Sequence, residues 1–216
     1  MNYGDLLVEH ERFYGDENRA CYYDEYMKHK DWSSWGSSVP VIEVIKLFGF
    51  VLSWDPHFEG DVAIFCRAYR QVYPLLVRLQ GMTIDSVDLH NGDLRADLKE
   101  IFDNMAHCTR ERRYESTGAS KMLHTIVPEL FVMWDRKIRK GILGNENRKY
   151  GTDYIDDFLP QMQQEAIEVK NSCAEKLKLE QDQAIEYVSK HAGGKTLAKL
   201  IDEYNYMKYT LIRMRQ

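Results

Sequence analysis

The chain has 216 residues, of which 44% are hydrophobic and 12% aromatic, so it can bury a sizeable core as one domain or as two small lobes. Its formal net charge of -5 and its pI of about 5.8 exclude a polycation that binds nucleic acid indiscriminately. The four cysteines are widely separated and include no C-x-x-C pair, which argues against a zinc or iron–sulfur loop and is typical of a reducing compartment.

The ends and the apolar stretches of the chain bear on its location. The first residues, MNYGDLLVEHER, carry acids where a signal peptide needs a basic region followed by an uninterrupted apolar one. The most apolar stretch, residues 39–54, contains Glu43 and Lys46 and is too short for a membrane span. We therefore expect a soluble, cytoplasmic protein that has no membrane contact.

Helical spacing of apolar residues dominates the first half of the chain. A helix is predicted over residues 17–29, and a second one opens at Ser38 and Pro40. Apolar residues lie on two sides of this second helix, so we expect it to be buried on most faces. Its many β-branched residues leave a strand as the alternative interpretation. A third helix is predicted from about Gly60 to Leu79, where Pro74 should produce a kink.

A polar connection follows at residues 81–92. Asp85, Asp88 and His90 are close together there, which raises the question of a metal site. Their spacing matches no known metal loop, so a solvated loop is the better interpretation, and we predict neither a metal nor a cofactor. Asn91 or Asp93 then caps a helix that ends near residue 108, because apolar residues recur in steps of three and four.

The stretch from Ser116 to Lys140 combines turn chemistry, packing residues, a lysine and an acid. Gly118 is expected to be a backbone hinge, because glycine takes positive φ without steric cost. The helix that follows would carry Ser120 and Lys121 in its first turn. Free N–H groups at a helix start attract phosphate, and the lysine adds a full charge, so a phosphate-binding turn is predicted here.

Pro128 ends this helix, and a run of large side chains at residues 129–134 should pass through the core. That run delivers Asp135 to the start of the next helix. An acid at this position usually caps the free N–H groups and has only a structural role. The alternative is that Asp135 belongs to a site together with Lys121.

The charge of the chain is unevenly distributed. Residues 109–149 contain ten Lys or Arg against five Asp or Glu, which gives this segment a charge of +5 and leaves -10 for the rest. An anionic partner is therefore expected at the central stretch. Besides Gly118 and Ser120, the predicted nucleic-acid contacts are the cations Arg110, Arg112, Arg113, Arg136, Arg139 and Lys140. For the first three of these, a solvated turn is the alternative interpretation.

A glycine turn, a lysine at the start of a helix, a proline-bounded connection and an aspartate that opens the next helix resemble the helix-hairpin-helix DNA glycosylases. The resemblance implies that the hairpin grips the DNA backbone, that Lys121 attacks the sugar C1′ carbon and that Asp135 is the assisting acid. An extruded base would then lie against His124, Phe131 or Trp134, for which core packing is the alternative role. The order G-A-S-K…P…W-D is also similar to that of small archaeal and bacterial proteins of no known activity.

The C-terminal third is predicted to be helical. A long helix should run from about residue 152 to residue 177 despite Pro160, and another over residues 181–190 is stopped by Gly193 and Gly194. Thr196 then caps the final helix. Residues 193–196, GGKT, match the end of a nucleotide-binding loop, but the upstream glycine and the preceding strand of that motif are missing. We therefore predict no nucleotide site here. The final helix has an apolar stripe that would pack against the 152–177 helix or a second copy: Leu197, Leu200, Ile201, Tyr204, Met207, Leu211 and Met214.

The sequence therefore predicts an all-α, multi-helix globular domain over residues 1–216. The resemblance implies that its architecture is helix-hairpin-helix glycosylase-like. The alternative organisation has lobes 1–108 and 152–216 around a central 109–151 segment. The leading functional hypothesis is a protein that binds duplex or damaged DNA and has a base-excision activity in DNA repair. The competing hypothesis is a non-enzymatic interaction or structural protein, a homodimer through its C-terminal helices.

Overall fold

The computed structural model describes residues 1–30, 35–111 and 113–211. Arg112 and Met214, both of which entered the sequence-based predictions, lie outside these residues. Regular structure in the described ranges is entirely helical, and their only paired extended backbone is an isolated bridge between Gly60 and Thr109. The predicted all-α class is confirmed.

Ten α-helices and two π-helical segments make up the part of the chain that the structure describes. The α-helices are α1 (Tyr3–Asp16), α2 (Ala20–His29), α3 (Val41–Trp54), α4 (Val62–Arg78), α5 (Gly92–Ala106), α6 (Ser116–Ile126), α7 (Arg136–Leu143), α8 (Leu159–Leu177), α9 (Gln181–His191) and α10 (Leu197–Asn205). One π-helical segment, Asp153–Phe158, leads into α8, and the other, Tyr206–Leu211, continues from α10.

Several helix boundaries follow from local chemistry as predicted. Asn91 caps α5 by accepting a hydrogen bond from the Leu94 N–H at 3.0 Å. Thr196 caps α10 in the same way, with the Lys199 N–H at 3.1 Å from its hydroxyl oxygen. The turn after α9 has positive φ at both of its glycines, residues 193 and 194, which a side chain would strain.

The sequence-based prediction missed helix α1, because its apolar residues are too few to give a clear helical stripe. It buries chiefly Leu6 and Phe13, which are seven residues apart. This narrow stripe packs against α8, α9 and α10 rather than only against the next helix in the chain. The N-terminal ammonium reinforces the contact with α8 through an ion pair to Glu168 at 2.6 Å. The two ends of the chain therefore belong to one helical group.

Helix α3 forms as predicted, but the expectation that it is buried on most faces is wrong. One side, which includes Val44, Leu47 and Val51, is fully buried, because α2, α4 and α6 pack on it. Within the described residues, no helix covers the opposite side. It exposes a row of apolar side chains, whose exposed fractions are 58% for Val41, 57% for Ile42, 51% for Ile45 and 43% for Leu52.

The C-terminal apolar stripe is used inside the chain. Leu197, Leu200, Ile201 and Met207 are all buried, and α10 packs against α1, α8 and α9. Of the two packing partners that the sequence allowed, the helix within the same chain is therefore the one observed. These four side chains do not form an exposed surface for a second copy.

Gly118 is not the hinge that the sequence predicted. It lies inside α6, which begins at Ser116, and it is absent from the glycines with positive φ. A Cβ atom at this position would lie 2.7 Å from the ring of Phe58, whose side chain is buried. The glycine is therefore needed for close packing of that ring on α6, and not for a turn.

We expect Gly118→Ala to destabilise the protein by about 1–3 kcal/mol, because the added methyl group forces the Phe58 ring to move in a packed core. Urea denaturation measures the change in the free energy of unfolding. Gly49→Ala is the matched control, since Gly49 lies within α3 and a Cβ atom there meets nothing within 4 Å. It should stabilise by about 0.5–1 kcal/mol. Equal effects at the two positions would contradict this account.

Across residues 1–30, 35–111 and 113–211, none of the helices combines the length and the apolar character needed to cross a membrane.

Candidate functional site

A cavity of about 560 Å³ opens where α1, α3, α6, α7 and α10 meet, and we call it the Lys121 cavity. Both residues singled out from the sequence, Lys121 and Asp135, line it. Its volume lies within the range of roughly 300–1,000 Å³ that is usual for small-molecule sites. The cavity therefore has the size of a small-molecule site and contains both of the predicted residues.

Lys121 is buried because α6 is buried along most of its length, between α3 and α5. The residue is only 7% exposed, and no hydrogen bond or ion pair of its ammonium group is found among the described residues. Burial lowers the pKa of Lys121 below its ordinary value, while the carboxylates of Asp55, Asp135 and Asp202 oppose that shift. The cavity thus contains an amine that is more easily deprotonated than an exposed lysine.

Asp135 caps helix α7, which is the structural role that the sequence favoured. Its Oδ1 atom accepts a hydrogen bond from the Ile138 N–H at 2.7 Å. Its Oδ2 atom accepts one from the Thr210 hydroxyl at 2.8 Å. Both oxygens are therefore engaged, and Asp135 is at once a helix cap and part of the cavity wall.

A second buried lysine in the cavity was not predicted from the sequence. The Lys199 Nζ lies 2.8 Å from an Asp202 oxygen and 3.5 Å from a Glu203 oxygen, and Glu203 also contacts the His10 ring nitrogen at 2.6 Å. Burial alone would lower the pKa of Lys199, but these two carboxylates raise it above its ordinary value. The pKa values of the two buried lysines are therefore shifted in opposite directions, downward for Lys121 and upward for Lys199.

The spacing of residues 199, 202 and 203 could have indicated this pair, because side chains three and four positions apart meet on one face of a helix. What the sequence could not show is that this face of α10 is buried. Asp202 is 7% exposed and Glu203 is fully buried. On a surface helix the same spacing would be an ordinary exposed ion pair.

Aromatic rings form one wall of the cavity. Phe13 and Trp54 are stacked, with their ring centroids 6.0 Å apart, and Tyr206 meets both rings edge-on. The Arg19 guanidinium lies 4.8 Å from the Trp54 ring centroid and is held by an ion pair with Glu17 at 2.9 Å. Burial acts to raise the pKa of Glu17, but hydrogen bonds from Arg19 and Tyr206 lower it to about 2. This wall is both apolar and fixed in place.

The lining of the cavity carries more positive than negative charge. It includes five Lys or Arg side chains against three Asp side chains. Arg136 is the most open of these cations: its side chain is 72% exposed, with a long contact of 3.6 Å to Glu146. Lys137 lies beside it on the first turn of α7. The mouth of the cavity is therefore cationic.

Several predicted nucleic-acid contacts are instead part of the scaffold. Ser120 is fully buried, and its hydroxyl accepts a hydrogen bond from the Trp134 N–H at 3.2 Å. Arg139 is 6% exposed and donates to the Ser116 hydroxyl at 2.7 Å. Together with Gly118, which packs under Phe58, these residues fix α6 and α7 to their neighbours and have no surface that a phosphate could reach.

Three further predicted cations, Arg110, Arg113 and Lys140, are exposed but do not line the Lys121 cavity. Arg110 lies beside the isolated bridge at Thr109, and Arg113 pairs with Glu111. Lys140 is exposed on α7, one turn beyond Arg136. Only Lys140 shares a helix with the cationic mouth.

Of the three candidate base-pocket residues, only Trp134 lines the cavity. Phe131 and His124 are fully buried elsewhere. The His124 Nδ1 lies 2.5 Å from the Phe131 carbonyl oxygen, and its Nε2 lies 2.9 Å from the Tyr23 hydroxyl. Core packing, the alternative role for these two residues, is the one that the structure shows.

The buried imidazole should make the protein sensitive to acid. Burial lowers the pKa of His124 to about 3, against 6.5 in an exposed histidine. The unfolded chain then binds a proton that the folded chain does not, so stability falls as the pH drops below 6.5. We expect this residue to cost about 2 kcal/mol at pH 5 relative to pH 8.

Urea denaturation of the wild type and of His124→Gln at both pH values tests this expectation. The difference in the free energy of unfolding between the two proteins should change by about 2 kcal/mol between pH 5 and pH 8. His191→Gln is the control, because His191 is exposed and should leave the pH dependence unaltered. An unchanged acid dependence in His124→Gln would rule out the buried neutral imidazole as its source.

No group of three or more His, Cys, Asp or Glu side chains arranged to hold a metal ion occurs in the described part of the chain.

Comparisons with protein-family models, with curated proteins and with solved structures find no significant match to this chain.

Proposed function

We propose that this protein binds damaged DNA at the mouth of the Lys121 cavity and excises a base, with Lys121 as the nucleophile. One observation carries the proposal: a buried lysine amine without a partner among the described residues faces the same cavity as Asp135. Each of the other features described above is compatible with a structural role on its own. An unpaired ammonium group in a protein interior is costly, and such a group in a cavity is a candidate for a chemical role.

The chemistry requires Lys121 to lose a proton near neutral pH, and burial favours the uncharged amine. Attack of its Nζ on C1′ forms a C1′–N bond, while the glycosidic bond breaks and its electron pair leaves with the base. Opening of the sugar ring then breaks the C1′–O4′ bond and gives a protonated imine. Of the three ammonium protons, one stays on the nitrogen, one ends on O4′ and one ends on the departing base.

Asp135 has a different task in this proposal from that of a free acid. Both of its oxygens accept hydrogen bonds, from the Ile138 N–H and the Thr210 hydroxyl, so its carboxylate is held in a fixed orientation. Positive charge develops on the sugar as the base leaves. A fixed negative charge in the cavity wall stabilises that charge without having to reorganise.

The aromatic wall supports the binding of an extruded base. Enzymes that act on a base inside a duplex turn it out of the stack and hold it against aromatic or apolar side chains. Trp54 supplies such a surface in the Lys121 cavity, with Phe13 and Tyr206 packed against its ring, and the lining also includes Trp134, which is 1% exposed. Three of these four residues come from parts of the chain outside the central stretch.

The surroundings of the cavity support contact with DNA and a helix-hairpin-helix arrangement. Arg136 and Lys137 lie at its mouth, and Lys140 is exposed on the same helix, so α7 can neutralise neighbouring phosphates. Helices α5 and α6, which are consecutive in the chain, pack against each other as a helical pair, but the glycine of the hairpin that the resemblance implies, Gly118, lies inside α6. The family resemblance remains part of the proposal.

Borohydride trapping tests the reaction. The protein is incubated with a duplex that contains an abasic site and, separately, with duplexes that contain single damaged bases, and the imine is reduced. We expect a covalent protein–DNA adduct with the abasic duplex. Without an adduct, a lysine-based mechanism is out, and only an excision that uses water as the nucleophile would survive.

The salt dependence of binding tests the DNA surface. Since each neutralised phosphate contributes about 0.9 to the slope of log K against log salt concentration, the variant Arg136→Ala/Lys137→Ala should reduce that slope by about 1.8. Fluorescence anisotropy with a labelled duplex over 50–200 mM salt measures it. Lys190→Ala is the control, because Lys190 is an exposed lysine on α9 outside the cavity. A slope that falls equally in both variants would contradict the proposed surface.

The competing function, a non-enzymatic interaction protein, is favoured by one observation. The exposed apolar row of α3, formed by Val41, Ile42, Ile45 and Leu52, is a surface that a partner protein could cover. Analytical ultracentrifugation separates the two proposals. A concentration-dependent dimer that has no affinity for any nucleic acid at low salt favours the interaction protein.

A further inference from the structure

The inner part of the Lys121 cavity contains a second carboxylate, with surroundings unlike those of Asp135. Asp202 lines the cavity and is 7% exposed, and its Oδ2 atom accepts a hydrogen bond from the Lys199 Nζ at 2.8 Å. Its Oδ1 atom has no hydrogen bond to any residue that the structure describes. One oxygen is therefore fixed, and the other is available to a group inside the cavity.

Asp135, by contrast, has no free carboxylate oxygen. To accept a proton it would have to give up the hydrogen bond that caps α7 or the one from Thr210. Asp55, the third acid of the cavity, is more exposed, and its Oδ1 atom faces the backbone N–H of His57 at 3.3 Å. Asp202 thus combines a free oxygen with shielding from bulk water.

We propose that Asp202, held in place by Lys199, carries protons to and from the Lys121 amine. This inference rests on the proposed function and gives a role to the buried ion pair, which that function does not otherwise use. General acid–base catalysis works through hydrogen-bond contact or through one intervening water. Lys121 and Asp202 line one cavity and form no direct ion pair, so the transfer runs through a water or through the substrate.

The proton balance is simplest for an abasic site, whose C1′ carbon is an aldehyde. Asp202 takes one proton from the Lys121 ammonium, and the free amine adds to C1′, which forms the C1′–N bond. The C1′–O bond then breaks and the oxygen leaves as water. The two protons that the nitrogen loses both end on that oxygen, one of them delivered by Asp202, which returns to its ionised state.

The charged and titratable groups around Asp202 determine how readily it accepts and releases a proton. Those that face it are Lys199 and Glu203 on α10, Lys121 on α6, Tyr23 on α2 and Tyr154 before α8, while His10 on α1 acts through Glu203. Burial raises the pKa of Asp202, and Lys199 opposes this shift. Asp202 therefore accepts a proton more readily than an exposed aspartate does, which suits a group that must alternate between two states.

The test is the rate of adduct formation with the abasic duplex in excess cyanoborohydride, measured from pH 5 to pH 9. We expect Asp202→Asn to slow the reaction by about 100-fold or more at pH 7, because the proton carrier is lost. A purely electrostatic role predicts the opposite. Removing a nearby negative charge lowers the pKa of Lys121 further, which increases the fraction of free amine and leaves the rate unchanged or higher.

Two further variants keep the test conclusive. Asp202→Asn leaves the buried Lys199 with the more distant Glu203, at 3.5 Å, as its carboxylate partner. The double variant Lys199→Met/Asp202→Asn, which removes both charges of the Lys199–Asp202 pair, is therefore measured beside it and should be equally slow. Asp85→Asn is the matched control. This variant breaks another shielded ion pair, in which the Lys170 Nζ lies 2.9 Å from an Asp85 oxygen, and neither residue lines the cavity. It should react at the wild-type rate.

The outcomes separate the two proposals. A wild-type protein that forms no adduct overturns the proposed function, and the inference fails with it. A wild type that forms the adduct, together with Asp202 variants that react as fast or faster at every pH, overturns the role of Asp202 alone.

Discussion

Lys121→Met should form no borohydride-trapped adduct with the abasic duplex above the level seen without protein. The substitution keeps the length and the apolar stem of the side chain and removes the only atom that can form the imine. Gel electrophoresis of the reduced mixture measures the adduct directly. DNA binding by the same variant should persist, because the cationic mouth at Arg136 and Lys137 is untouched.

The same variant should be more stable than the wild type. Lys121 is buried without an ion pair among the described residues, so replacing its ammonium by an apolar group should stabilise the fold by about 1–3 kcal/mol at pH 7. The sign of the pH dependence follows from the lowered pKa. Between that pKa and 10.5, the unfolded chain binds a proton that the folded wild type lacks, so wild-type stability rises with pH. The advantage of Lys121→Met should therefore shrink as the pH approaches 10.5.

Lys190→Met is the control for both measurements. Lys190 is an exposed lysine on α9 that does not line the cavity. Its loss should leave the covalent adduct in place and the stability nearly unchanged. A persistent adduct in Lys121→Met, or its loss in Lys190→Met, would contradict the assignment of the nucleophile.

Trp134→Ala should destabilise the protein by about 3–5 kcal/mol, the largest effect on stability that we expect. The side chain is 1% exposed and packs against Phe102, Tyr154 and Phe158, with ring centroids 5.9, 4.8 and 5.0 Å away. Its Nε1–H donates to the Ser116 carbonyl oxygen at 3.1 Å. The substitution therefore removes a large apolar group and leaves a buried acceptor without its partner.

Two variants bracket this effect. Trp134→Phe keeps a ring in the core and loses only the hydrogen bond and part of the volume, so it should cost less than half as much. Tyr150→Ala removes an aromatic side chain that is 53% exposed and should change the free energy of unfolding by no more than about 0.5 kcal/mol. Chemical denaturation of the three variants gives the order. A small loss in Trp134→Ala would contradict the packing described for this part of the core.

Local signals in the sequence were enough to predict α6, its end at Pro128 and the cap of α7 at Asp135, because capping and proline effects act within a few residues. They also brought together Lys121 and Asp135, which are joined by a short connection. The hinge at Gly118 was wrong for a related reason. Glycine serves both turns and close packing, and only the position of Phe58 shows which applies.

The rest of the site depends on contacts between residues far apart in the chain. Phe13 and Trp54 reach the cavity from α1 and α3, and Lys199 and Asp202 reach it from α10. Each is unremarkable in its own sequence context: an aromatic on a weakly amphipathic helix, or an ion pair at helical spacing. Burial gives these residues their properties, and burial depends on how the helices pack.

The most direct test of the central claim is the identity of the residue that carries the reduced adduct. After trapping with the abasic duplex, nuclease and protease digestion followed by tandem mass spectrometry locates the modified lysine. We predict the modification at Lys121, the buried lysine that has no ion pair among the described residues. A modification at Lys199, at Lys137 or at the N-terminal amine instead would contradict the account, because the Lys121 cavity would then not be the place of reaction.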